Sequence, residues 1–432
     1  MGSIAAAGLS TGAFAADPNG LLTSLDTCDA QGKTGLTVSS SDNCLVIDGE
    51  VKYEFFWGDY AGSITLFSTS DGAVTVDNDD GVAPDLQDWE SDLEAFIRFT
   101  ASADSDFGTA MAVIKIKDRQ ISVFTNEVEV QASGDGTGDD TGGAVFDEAY
   151  VSVGDATVIS AGKKGSIINK GDDEPFNFLG MFNSSEVDKG VLWDDAVIGV
   201  ADGGHVIQIV SDLGNGVTVK GGLENLNGDG TAIGVLEYAG DSLTAHVTLI
   251  ATDILDGAVT NWAYHAGGTA TFDMFKLRAA VAGDDTGHWN ALASAEAAFD
   301  MFRIAGSVEA VNNVGAGVNE LGFGLSAGAD VSDVVTVNAG FRWYDPDTAT
   351  ASDDGWQAAL QIIASLTETV TATGEIGVYG TAAAATCVSC SITYGKAELA
   401  WAPGGGFTSS VGAELNSEGA YKFTYKAAKT FK

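Results

Sequence analysis

From Cys44 to the end of the chain, apolar and polar residues alternate with a period of two. Over 45–57 the odd positions read Leu45, Ile47, Gly49, Val51, Tyr53, Phe55 and Trp57. Asp48, Glu50, Lys52 and Glu54 stand between them. Leu93, Ala95, Ile97 and Phe99 alternate with Glu94, Arg98 and Thr100. Val335, Val337, Ala339, Phe341 and Trp343 alternate with Thr336, Asn338, Arg342 and Tyr344. Such segments are strands with one apolar and one polar face. The pattern predicts about 20 of them, and helical periodicity is nearly absent. Tight turns are predicted at Asp104–Gly108, Gly154-Asp155, Gly214–Gly216, Gly240-Asp241, Ser332-Asp333 and Thr367–Thr369. They alternate with long polar loops at 58–92, 118–146, 166–204, 283–290, 312–322 and 345–355. A meandering barrel with two unequal ends produces this alternation.

Residues 272–283, FDMFKLRAAVAG, resemble 299–308, FDMFRIAGSV, at an offset of 27. Copying one hairpin gives this, with both turns on one rim. The apolar faces carry aromatics near strand ends, among them Trp57, Phe341, Trp343, Trp356, Trp401, Tyr421 and Phe423. Aromatic girdles of this kind mark membrane barrels. In lipid every backbone polar group needs a partner, which a closed barrel supplies. The last segment, Tyr421 to Lys432, is an alternating aromatic strand that would be a bare edge unless it closed against the first. The fold class is therefore an all-β, transmembrane, antiparallel up-and-down barrel.

Composition narrows the function. Of 432 residues, 61 are Asp or Glu and 20 Lys or Arg, a formal charge of −41. So negative a chain lacks the basic footprint that nucleic acid requires. A hydrophobic fraction of 45% is too high for an acidic disordered chain. No apolar run approaches the roughly 20 residues of a membrane helix. Lys52, Arg98, Lys115, Lys117, Arg119, Lys220, Lys276, Arg278, Arg303, Arg342, Lys422 and Lys426 all lie on the polar phase. Nearly as many acids share that phase, so the inner wall is close to neutral and most of the charge belongs to loops.

Residues 1–16 are small and apolar, with Ala13-Phe14-Ala15 spaced like a signal-peptidase site. They read as a signal-peptide remnant, with a disordered leader as the alternative. Residues 17–44 form a Cys-bounded segment, and 45–432 a single barrel domain. In an exported chain, Cys28, Cys44, Cys387 and Cys390 favour disulfides over metal. A Cys28–Cys44 bridge contributes about 3 kcal/mol by restricting the unfolded chain, and Cys387/Cys390 read as a loop disulfide. The four His are scattered, which disfavours a zinc site. No specific metal or cofactor is expected. Loose Ca²⁺ or Mg²⁺ contact by acidic loops, as at Asp77, Asp79 and Asp80, is the most the sequence offers. No Ser, His and Asp arrangement suggests catalysis, so the chain is not read as an enzyme.

The stretch 28–49, CDAQGKTGLTVSSSDNCLVIDG, resembles the opening of alphaproteobacterial outer-membrane porins, a general-diffusion family with a Cys-containing N-terminal segment. Residues 96–111 and 146–165 resemble later strands of the same family. The resemblance implies a constriction loop folded into the barrel, here about 166–195. Its acidic residues would be Asp172, Asp173, Glu174, Glu186, Asp188, Asp194 and Asp195. It also implies a facing basic wall, for which Arg98, Lys115, Lys117 and Arg119, with Lys52, are the candidates. Opposed charges across a narrow, wet pore create a transverse field. Family barrels have about 16 strands and usually end in Phe; the pattern here gives more, and Lys432 follows Phe431.

The expected function is a passive channel for small hydrophilic solutes and ions, biased toward cations. The resemblance implies a homotrimer in the outer membrane of a Gram-negative bacterium, among its lipid and lipopolysaccharide. A substrate-specific channel for sugars or organic acids is the alternative, suggested by Tyr150, Tyr344 and Tyr379 on polar phases. A calcium-stabilised extracellular surface protein is a more distant one.

Overall fold

The computed structural model describes residues 26–60, 64–69, 72–76, 87–125, 128–134, 143–181, 190–193, 203–315, 317–345, 354–381, 391–417 and 419–432. The signal-like residues 1–16, Cys387, Cys390, Asp77, Asp79 and Asp80 lie outside them.

Among the described residues, 20 antiparallel strands close into one ring. It begins with Cys44–Asp59, Asp88–Ser105, Gly108–Thr125, Val145–Gly154 and Thr157–Lys164. It resumes at Gly204–Gly214 and meanders to Tyr421–Phe431. Closure is direct. Cys44–Asp59 pairs with Asp88–Ser105 on one side and with Tyr421–Phe431 on the other, Gly49 opposite Phe431 and Trp57 opposite Phe423. No strand of the ring is left with a bare edge, which a hydrocarbon surrounding demands.

The family expectation of about 16 strands is corrected to 20. The repeated FDMF strings close two of the ring's hairpins. Phe272 faces Phe275 and Phe299 faces Phe302 across two-residue turns. Asp273 and Asp300 open those turns at φ of 51° and 54°. A mirror-type hairpin turn needs that left-handed backbone, which Asp tolerates better than most residues. The proposed loop 118–146 is also shorter than expected. The strand runs through Thr125, and Val128–Gly134 folds back on its outer end.

The alternation sorts side chains as a membrane barrel requires. Ile376, Val151, Leu249 and Leu325 stand exposed on the outside. Arg342 is 0% exposed inside, whereas its neighbour Trp343 packs on the outer Phe323 at 5.3 Å. A soluble barrel would have the reverse arrangement.

The N-terminal segment completes the seam. Tyr421–Phe431 covers Gly49–Asp59 but leaves 44–48 uncovered on that side. Leu36–Ser39 pairs with 44–47 and fills the place, end-on to the last strand. At Gly35, φ 110°, a Cβ would lie 2.5 Å from the Lys432 carbonyl carbon, so the approach needs glycine. A Cys28–Cys44 disulfide pins the short helix Asp26–Ala30 here, both cysteines buried. The Ser102 hydroxyl, on the inner face, donates to Gln31 Oε1 at 2.6 Å.

Candidate pore constriction

After Thr157–Lys164 the chain does not bulge outward but runs along the inner wall. Inward-facing side chains of successive strands hold it. Ile167 N–H donates to Glu224 Oε1 (2.9 Å), and Asn169 Nδ2 donates to Glu237 Oε1 (2.7 Å). The Thr248 hydroxyl accepts from Asn169 N–H and donates to its carbonyl. Phe176 N–H donates to Ser294, whose hydroxyl meets that of Ser307 at 2.7 Å. Ser307 in turn donates to Asn177 Oδ1 at 2.8 Å. At the tip, Arg342 Nη1 donates to the Leu179 carbonyl at 2.5 Å. Leu179 fills a pocket of Ala359, Tyr379 and Tyr394. The returning residues pack as well: Met181 and Val191 on Ala280, Ala282 and Leu292, and Leu192 and Trp193 on Ile250 and Ala263. Buried backbone polar groups must be paired, and here the wall supplies their partners.

Small residues make room for this layer. A Cβ on Gly324 would lie 2.5 Å from Asn177 Nδ2, and one on Gly340 2.7 Å from the Phe178 ring. Those approaches are open only to glycine.

The acidic triplet divides. Asp172 Oδ1 accepts from the hydroxyls of Thr244 (3.0 Å) and Thr269 (2.5 Å), and lies 3.8 Å from Arg278 Nη2. Asp173 is buried, its Oδ2 3.6 Å from His265 Nε2. Both therefore face the wall. Glu174 is exposed, and its carbonyl accepts from Arg278 Nη1 at 2.8 Å. The Arg278 guanidinium also sits 4.6 Å over the Phe176 ring. Glu186, Asp188, Asp194 and Asp195 lie outside the described residues.

The basic candidates line the opposite wall. Asp88–Ser105 stands ten strands from Trp289–Phe299 around the ring of 20. There Arg98 Nε and Nη2 meet Asp48 at 3.1 and 3.0 Å. Arg119 Nε and Nη2 meet Asp92 at 3.0 and 2.6 Å. Lys115 pairs with Asp147 (2.5 Å), Lys117 with Glu94 (3.5 Å) and Lys52 with Glu54 (3.2 Å). Each of these five cations thus has a wall carboxylate within 3.5 Å, whereas Arg278 meets the segment's own Asp172. At the rim of the long loops, burial, then the nearby Glu90 and Asp88 carboxylates, raise the pKa of the Tyr60 hydroxyl above its ordinary value.

Sequence reasoning put Arg278 and Arg342 on the inner wall but missed that they grip the segment, and it missed Glu224, Glu237 and His265, which grip it too. A signal was there to read. Ile233, Val235, Ile250, Ala280, Ala282 and Leu292 are apolar on the inner phase. Apolar residues on both phases of neighbouring strands announce a covered inner wall.

No protein-family description and no curated protein sequence matches the chain. Solved structures do resemble it. OccK11 (OpdR) of Pseudomonas aeruginosa is 7% identical, over 89% of this chain and 95% of that one, at a TM-score of 0.42. The trimer form of OmpT, an outer membrane protein of Vibrio cholerae, is 10% identical over 90% and 100%, at 0.40. An anion-selective porin from Comamonas acidovorans is 12% identical over 90% and 100%, at 0.39. All three are bacterial proteins, two of them named as porin or outer-membrane protein.

Proposed function

We propose that the chain is an outer-membrane porin of a Gram-negative bacterium, a water-filled channel for passive diffusion of small hydrophilic solutes and ions with a bias toward cations. The closed ring with an apolar outside and a charged inside is the observation that carries this reading. Barrels of about 16–18 strands already enclose an aqueous channel. Here part of the width is taken up by the segment 165–181 on one wall. The free wall carries paired charges and offers polar footing to hydrated solutes. The net charge of −41 leaves carboxylates in excess of cations, which attracts cations toward the mouth. Selectivity would come from size and field, with no covalent step. A homotrimer is proposed on the family resemblance alone.

Reconstitution in planar bilayers tests the reading. Stepwise conductance with a reversal potential favouring cations supports it. An absence of steps, or a clear anion preference, contradicts it. The alternative of a channel specific for sugars or organic acids is weakened at one of its aromatics, because Tyr379 is buried beneath Leu179. Tyr344 donates its hydroxyl to Glu320 at 2.6 Å.

A further inference from the structure

Two histidines on adjacent strands stack beneath the inward segment. His246 of Leu243–Thr252 and His265 of Trp262–Phe272 have ring centroids 5.0 Å apart at 12°. They are 3% and 0% exposed. His265 Nε2 lies 2.9 Å from the Val191 carbonyl, and His246 Nε2 lies 2.8 Å from His265 Nδ1.

The partners fix the protons. A carbonyl only accepts, so His265 Nε2 carries hydrogen and donates to Val191. In a neutral ring His265 Nδ1 is then bare and accepts from His246 Nε2–H. His246 Nδ1 is left without hydrogen, buried and with no hydrogen-bond partner among the described residues. The neutral pair thus satisfies every donor it has.

We propose that the His246–His265 pair positions the inward segment only while it carries at most one proton beyond the neutral state, so that acid loosens the segment and changes passage through the pore; this rests on the channel reading above. A first added proton enters at His246 Nδ1 and breaks no hydrogen bond. A second must enter at His265 Nδ1, where it points at the His246 Nε2–H across 2.8 Å. Donor then meets donor between two stacked cations, and one ring must turn.

Either turn disturbs the segment. Turning His265 releases the Val191 carbonyl and the Asp173 carboxylate 3.6 Å away. Turning His246 removes the donor to His265 Nδ1 and moves the ring beside the segment: the space over Gly267 is filled from both sides, a Cβ there lying 2.6 Å from the Gly171 carbonyl and 2.7 Å from His246 Cε1. The charged groups around the pair are mixed. Glu237 and Lys220 act on His246 from the neighbouring strands, and Asp172 from the segment. Arg278 pairs with Asp172, Asp173 faces His265, and Lys170 lies over the Trp193 ring that stands edge-on to His265. None of them accepts a hydrogen bond at the point where the two rings meet.

The test is single-channel recording in planar bilayers as pH falls from about 7 to about 3, a window carried below the ordinary histidine range because burying an imidazole disfavours its charged form. His246→Gln keeps a donor for His265 Nδ1 but cannot titrate. His265→Gln keeps both a donor for Val191 and an acceptor, and serves if the first variant does not fold. The readout is the frequency of discrete sub-conductance transitions, since lumen carboxylates change conductance smoothly as they are protonated. The expected result is a reversible rise of about threefold or more in wild type at acid pH, absent from either variant. A wild-type frequency independent of pH, or the same rise in the variants, overturns the proposal. Absence of any conductance at neutral pH overturns the channel reading itself and the proposal with it, a result distinct from pH-insensitive steps.

Discussion

Val411 and Ser410 are neighbours in Phe407–Asn416 and face opposite media. Val411 is 40% exposed and lies between Leu399 and Tyr425 on the outer face. Ser410 lies between Ala400 and Lys426 on the inner face. Val411 stands four residues from Phe407, which on a tilted strand is roughly 10 Å along the membrane normal. In an apolar band about 25 Å tall that places it near the midplane. Arginine at the midplane costs about 2–4 kcal/mol. Its long stem can reach toward the nearer interface, so the lower end, about 2 kcal/mol, is expected for Val411→Arg. That is roughly a 30-fold loss in the folding equilibrium. Ser410→Arg enters water beside Lys426, itself 3.4 Å from Glu54, and should cost less than about 1 kcal/mol. Reversible urea unfolding in lipid vesicles, followed by Trp fluorescence, measures both. If Ser410→Arg proves as costly as Val411→Arg, the assignment of faces to lipid and lumen is wrong.

Other perturbations probe the seam and the inward segment. Cys28→Ser with Cys44→Ser should lower stability by about 3 kcal/mol for a closed loop of this size, read in the same unfolding assay. The heat-shifted gel mobility of a closed barrel should survive, because the registers that close the ring do not include the bridge. Arg342→Ala leaves the Leu179 carbonyl buried without that donor, a loss of about 1–3 kcal/mol. Single-channel amplitude histograms should broaden, and Arg342→Lys should partly restore them. Glu174→Gln should reduce cation preference in reversal-potential measurements more than Asp173→Asn, since Glu174 is exposed and Asp173 is buried against His265. Equal shifts would place both carboxylates in the lumen's field. Gly324→Val should displace Asn177 and alter conductance while leaving the lipid-facing surface unchanged, with an unaltered conductance counting against the close approach there.

The wall of the barrel was legible in the chain because strand geometry is local. A period of two assigns each side chain to a face, so Arg342 and Trp343 separate without any knowledge of the ring. Turn chemistry is local too, and Asp273 and Asp300 stand where the repeated FDMF strings put them. The path of the segment after Lys164 depends instead on partners 57 to 163 residues away, from Glu224 beneath Ile167 to Arg342 at Leu179. Nothing in DDEPFNF says that Asp172 and Asp173 turn to Thr269 and His265 while Glu174 stays exposed. The pairing of Arg98 with Asp48 and Arg119 with Asp92 likewise follows from register between strands. Alternation alone thus fixed which medium each wall residue meets. Closure of the ring decided which charges neutralise one another and which histidines stack, because those contacts exist only after distant strands become neighbours.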